Sequence, residues 1–124
     1  MSLNKIRLEL ARDHDFPDGS RERGYEFTAS LGADGRIDRA EWAAGRDRCR
    51  VRRFWAGEND EVGHLILKPS GSWAFHYDLL GEPDDDETGY RFGDHVFRPG
   101  EYVSIREHDD VLRTFKVVAV QPLG

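Results

Sequence analysis

The stretch VGHLILKPSGSWAFHYDLL, Val62 to Leu80, reads as a β-hairpin whose turn decides which side chains meet. Pro69 suits the first position of a type I turn and Gly71 the left-handed position after it, which together make a three-residue loop ending in a bulge. Residue 68 then faces residue 72. Counting outward, Leu67 faces Trp73, Leu65 faces Phe75 and Gly63 faces Tyr77, so one side of the hairpin is almost wholly apolar. The other side pairs Ile66 with Ala74 and His64 with His76, and sets Asp78 beside them. A one-residue slip would exchange the two faces, so burial of the apolar side holds this register.

The same period of two recurs on both sides of the hairpin. Ile6, Leu8 and Leu10 alternate with Arg7 and Glu9 over Lys5 to Leu10, and Tyr25, Phe27, Ala29 and Leu31 alternate with Glu26, Thr28 and Ser30. Cys49 and Val51 oppose Arg48, Arg50 and Arg52. Tyr90 to Phe97, Tyr102 to Glu107 and Val111 to Val120 read as the remaining strands. Turns are expected at Phe16-Pro17-Asp18-Gly19, Arg98-Pro99-Gly100 and His108-Asp109-Asp110. Leu80 to Gly89 reads as an acidic loop. One helix is expected at about 38–45: Asp38 as N-cap, Glu41 three residues on as in a capping box, Ile37 stapled to Trp42, and Gly45 at the end. The pattern predicts a single all-β domain over 1–124, a mostly antiparallel small barrel, half-open barrel or sandwich of about seven to eight strands with that one short helix.

Two local resemblances need weighing. Residues 32–42 resemble the calcium loop of an EF-hand through Asp34, Gly35, Ile37, Asp38 and Glu41, but Ser30 and Gly32 stand where that loop's first and third ligands belong. A helix start explains the same residues with fewer demands. Tyr102 to Glu107 and Val111 to Val120 look like the closing strands of small SH3-like or PUA-like barrels, over about twenty residues and without a diagnostic motif.

With 124 residues, 38% of them hydrophobic, the chain suits one core and can fold unaided. No apolar run exceeds Val117 to Val120, far short of a membrane span, and residues 1–12 lack the apolar stretch of a secretory signal, so the expected compartment is the cytoplasm. One cysteine, Cys49, excludes an internal disulfide and reads as a small core residue. The net charge of -6 disfavours nucleic acid and anionic membrane as partners. There is no GxSxG elbow, Walker A motif or GxGxxG loop, so acyl transfer and nucleotide hydrolysis by those routes have no support.

Three constellations carry chemistry. His64, His76 and Asp78 share one hairpin face and have the donor set for a divalent metal such as zinc, or for a carboxylate-oriented histidine base. No other cofactor is predicted. Arg46, Arg48, Arg50 and Arg52 align as a stripe that can grip an anion or nucleic-acid phosphates beside Phe54 and Trp55, unless the acidic run from Glu82 to Glu87 docks on it. His95 faces Ser104 if Pro99-Gly100 closes a two-residue turn. The leading expectation is a noncatalytic binding or interaction domain for a small ligand or a protein partner. A metal site at His64, His76 and Asp78 and a nucleic-acid surface on the arginine stripe are its rivals.

Overall fold

Alternation of inward apolar and outward polar side chains carries eight segments into one antiparallel meander. The computed structural model describes residues 3–78, 87–90, 92–107 and 109–123. Its strands are β1 (Leu3–Leu10), β2 (Ser20–Ser30), β3 (Arg50–Trp55), β4 (Glu61–Leu67), β5 (Trp73–Tyr77), β6 (Glu87–Tyr90), β7 (Tyr102–Arg106) and β8 (Leu112–Pro122). Each strand pairs with the next, and β1 pairs with β8, so the sheet closes into a barrel. Closure removes the sheet edges that would otherwise template pairing with another chain. Among the described residues no helix is long and apolar enough to cross a membrane.

The central hairpin has the register that its turn predicts. Leu67 pairs with Trp73, Leu65 with Phe75, Gly63 with Tyr77, and His64 with His76. Gly71 takes a φ of 91° and its N–H donates to the Lys68 carbonyl at 2.9 Å. The apolar face points into the bore, and His64 and His76 lie on the outer wall. An eight-stranded bore is about wide enough for side chains to fill it. Ile6, Leu8, Phe27, Leu65, Phe75, Ile105 and Phe115 do so along its middle, each essentially without solvent exposure.

One end is plugged. The helix α1 (Arg39–Ala44) starts where Asp38 accepts a hydrogen bond from the Glu41 N–H at 3.0 Å and stops at Gly45. Its buried Trp42 donates from Nε1 to the Leu65 carbonyl at 2.9 Å and packs edge-on to Trp73. Cys49 is buried nearby, as its pairing with apolar neighbours implies. Phe27, Phe75, Phe92 and Phe97 complete the plug, with ring centroids 5.2 to 6.1 Å apart.

That plug corrects the expected strand from Tyr90 to Phe97. Residues five apart on a strand point to opposite faces, so Phe92 and Phe97 cannot both enter the bore from one. The chain instead leaves strand geometry after Tyr90, makes a 3-10 turn at Phe92–Asp94, and sends the Phe97 N–H to the Gly35 carbonyl at 2.8 Å. Gly89 accommodates the returning ring: a Cβ there would lie 2.4 Å from Phe92. The expected pairing of His95 with Ser104 is therefore absent, since Ser104 pairs with Tyr90 and Thr114.

One other expectation changes. Arg46 and Arg48 sit on a 3-10 turn, Arg46–Arg48, and β3 begins only at Arg50, so the four arginines do not share a strand face. In the segment resembling a calcium loop, Asp34 accepts from the Arg36 N–H and Asp38 caps the helix, while Ser30 belongs to β2. The last two strands close the barrel at eight strands, as the expected seven to eight strands allow.

Truncation of a fully buried phenylalanine typically costs about 3–5 kcal/mol. Phe92→Ala is expected to lose that much stability in urea unfolding followed by tryptophan fluorescence. A loss under about 1 kcal/mol would mean that its ring does not close the barrel.

Candidate functional site

The sequence places His64, His76 and Asp78 together, and the fold keeps them together on the outer wall. The His64 ring Nδ1 lies 3.0 Å from Asp78 Oδ1, and the same carboxylate has Arg50 Nη2 3.8 Å from its other oxygen. Asp78 is thus divided between an imidazole and a guanidinium. Among the described residues no group of three His, Cys, Asp or Glu side chains is placed to hold a metal ion.

The arginines disperse. Arg52 points outward and is taken up by Glu26 Oε1 at 2.5 Å and Asp60 Oδ2 at 2.8 Å, while Arg7 reaches the other oxygen of Glu26 at 3.1 Å. Phe54, also outward, is covered by the guanidinium groups of Arg7 and Arg52 at 4.3 and 5.1 Å from its ring. Arg50 and Arg52 thus find their counter-ions on and beside the neighbouring strands. The alternative partner, the acidic run 82–87, lies outside the described residues except for Glu87. His108 also lies outside them, and His14 is exposed in the β1–β2 loop.

Glu87 belongs to a feature that the sequence reading misses. At the end of the bore opposite the plug, Arg53, Glu87, Glu107 and Arg113 point inward with Tyr25 and Tyr77, all of them buried. The Tyr25 hydroxyl lies 2.9 Å from Glu87 Oε1 and 2.5 Å from Glu107 Oε2, and Tyr77 donates to Glu87 Oε1 at 2.5 Å. Arg53 Nε lies 3.3 Å from Glu107 and 3.6 Å from Glu87, and Arg113 Nε lies 3.3 Å from Glu107 Oε1. Burial first, and then the charge of Glu87, pushes both phenols well above the ordinary tyrosine value. Burial likewise raises the carboxyl of Glu107, against the hydrogen bond from Tyr25 and the charge of Arg53. Above this layer, Arg113 reaches Asp13 and Asp15, Arg53 reaches Glu58, and Phe16 packs edge-on to Trp55.

A cleft of about 580 Å³ opens on the outer wall near this end. Two irregularities in the ladders beside β1 flank it. Glu9 pairs with Gly24 but Leu10 with Ser20, so residues 21–23 of β2 have no partner on β1; Arg7 pairs with Ala119 but Leu8 with Val117, so Val118 is an extra residue in β8. Bulges of this kind re-aim side chains and cluster near functional sites. At the first of them the strands press so closely that a Cβ on Gly24 would lie 2.0 Å from the Leu8 carbonyl oxygen. Arg12, Asp18, Arg21, Tyr102, Lys116 and Val118 line the cleft. Of its acids, Glu9 is engaged by Arg7 at 2.9 Å, whereas Arg12, Arg21 and Lys116 make no ion pair with a described residue. Neither a protein-family model, nor a curated protein, nor a solved structure matches the chain.

The outer-wall ion pairs set an acid limb of stability. Burial raises the Glu26 carboxyl, but hydrogen bonds from Arg52 and Arg7 and the charges of Arg52 and Lys5 bring it below the ordinary value. A carboxyl lowered by folding adds stability above its unfolded value and loses it as pH falls through its folded one. Glu26→Gln is expected to lower Tm at neutral pH and to converge with the wild type at acid pH. Parallel Tm profiles over pH would show that Glu26 does not supply this limb.

Proposed function

We propose that this protein is a noncatalytic binding domain whose ligand is a small organic anion held in the cleft beside β1. The carrying observation is the excess of unpaired cations there: Arg12, Arg21 and Lys116 lack partners among the described residues, while of the two acids one is already engaged. The volume lies within the roughly 300–1,000 Å³ of small-molecule sites. The exposed ring of Tyr102 and the flank of Val118 offer an apolar surface next to the cations, which suits an anionic head on a flat or hydrocarbon body. A bore filled with side chains favours a ligand site on the wall over one inside it.

Isothermal titration with phenyl phosphate and benzoate, against benzyl alcohol as the uncharged control, tests this reading. Both anions are expected to bind at least about tenfold more tightly than the alcohol, the scale of one charge-assisted hydrogen bond. An Arg21→Glu, Lys116→Glu double variant is expected to lose that preference while keeping the wild-type Tm. Equal binding of charged and uncharged probes, or binding unmoved in the double variant, would overturn it.

A further inference from the structure

The loop from Ala11 to Gly19 that joins β1 to β2 serves two places at once. Ala11, Arg12, Asp18 and Gly19 line the cleft, while Asp13, Asp15 and Phe16 reach over the open end of the bore. The Arg12 guanidinium makes no ion pair or hydrogen bond with a described residue, so its place is set by the backbone on either side of it. Before it, the Ala11 N–H donates to the Thr114 carbonyl at 3.0 Å. After it, Asp13 Oδ1 accepts from Arg113 Nη1 at 2.7 Å and from the Asp15 N–H at 2.9 Å. Both anchors stand on β8, on successive residues, and Lys116 of the cleft lies two residues beyond Thr114 on the same strand.

The anchor after Arg12 is the stronger one. Arg113 and Asp13 are nearly closed to water, their side chains 9% and 11% exposed, so their attraction is screened far less than that of pairs on the outer wall. The planar fork of Arg113 takes both acids of the loop, Asp13 through Nη1 and Asp15 through Nη2 at 3.1 Å, while its Nε lies 3.3 Å from Glu107 Oε1 in the barrel. Phe16 fastens the far shoulder of the loop. Its ring is edge-on to Trp55, with centroids 6.0 Å apart, and the Arg23 guanidinium lies 4.4 Å above it. Gly19 then brings the chain back to β1 with a φ of 70°, where a Cβ would lie 2.6 Å from the Leu10 carbonyl oxygen.

We infer, on the anion reading above, that the Asp13–Arg113 ion pair is the positioning device of the cleft, holding the loop so that Arg12 is in place before a ligand arrives. Neither residue lines the cleft, and both act through Arg12. A long cation on an unanchored loop would lose backbone and side-chain freedom together on meeting an anion, whereas an anchored loop has lost the backbone part on folding. The coupling is reciprocal: an anion in the cleft tightens the clamp by the factor by which the clamp tightens the anion.

Isothermal titration of the wild type, Asp13→Ala, Arg12→Ala and the double variant with phenyl phosphate and benzyl alcohol separates this role from a structural one. Asp13→Ala is expected to weaken phenyl phosphate binding about three- to tenfold, the scale of ordering one long side chain, to leave benzyl alcohol unchanged, and to have no further effect once Arg12 is alanine. By reciprocity, saturating phenyl phosphate is expected to slow hydrogen exchange of the wild-type Asp15 and Phe16 amides by the same factor, and benzyl alcohol is not. If phenyl phosphate binds the wild type no better than benzyl alcohol, the anion reading falls and the positioning role with it. If it binds better, but Asp13→Ala keeps the wild-type affinity or loses as much without Arg12 as with it, the anion reading stands and the positioning role is overturned. Should Asp13→Ala fail to fold, the wild-type exchange decides: unchanged Asp15 and Phe16 rates at saturation overturn the role as well.

Discussion

Closing eight strands into a barrel creates a bore that must be filled, and the two ends of this bore are filled by opposite chemistry. At one end the aromatic plug of Trp42, Trp73, Phe92 and Phe97 removes apolar surface from water. At the other, Arg53, Glu87, Glu107 and Arg113 are buried together, and none of them could be buried alone. Removing one partner of a buried charge pair typically costs about 3–5 kcal/mol, more than an average hydrophobic truncation at the surface. Five strands send a side chain into that layer, Tyr25 from β2, Arg53 from β3, Tyr77 from β5, Glu87 from β6 and Arg113 from β8, and Glu107, the residue after β7, joins them. The layer therefore specifies strand register around much of the circumference, since a slip in any one of these strands would strand a charge.

Much of the fold is legible in the sequence because local chemistry and burial agree. The Pro69–Gly71 turn sets the hairpin register, and Asp38, Glu41 and Gly45 bracket the helix by caps that need no tertiary knowledge. His64 and His76 are brought face to face by the same register. The segment from Tyr90 to Phe97 is different. Its alternation suits a strand, but the bore needs both Phe92 and Phe97, and that demand comes from Phe27 and Phe75, distant in sequence. Arg46 and Arg48 leave the expected strand for a related reason: a charged alternation carries no apolar face to anchor it, so nothing local distinguishes a strand from the turn that follows α1.

The buried network was legible in principle through phase. On β3, Val51, Arg53 and Trp55 share one face; on β8, Arg113, Phe115 and Val117 do; and Glu107 continues the face of Val103 and Ile105. In each case a charge falls in the apolar phase at or near a strand end. Read strand by strand, such a residue looks like the polar end of a hydrophobic face. Only when the meander closes do these ends converge at one level of the barrel, with acids and arginines in complementary positions.

The filled bore also bears on where binding can occur. A ligand inside would have to displace either aromatic rings packed at 5–6 Å or ion pairs whose separation leaves charges uncompensated. The outer wall imposes neither demand, and most of its charges are already spent: Arg52 and Arg7 on Glu26, Arg50 on Asp78. The cleft beside β1 differs because two ladder irregularities take residues 21–23 and Val118 out of pairing with β1. Side chains released from regular pairing also lose the cross-strand neighbours that neutralise charges elsewhere on the wall. The distortion that helps make the concavity thus also leaves Arg21 without a partner on β1, while Lys116 keeps its register opposite Glu9 and Tyr102 yet makes no ion pair with a described residue.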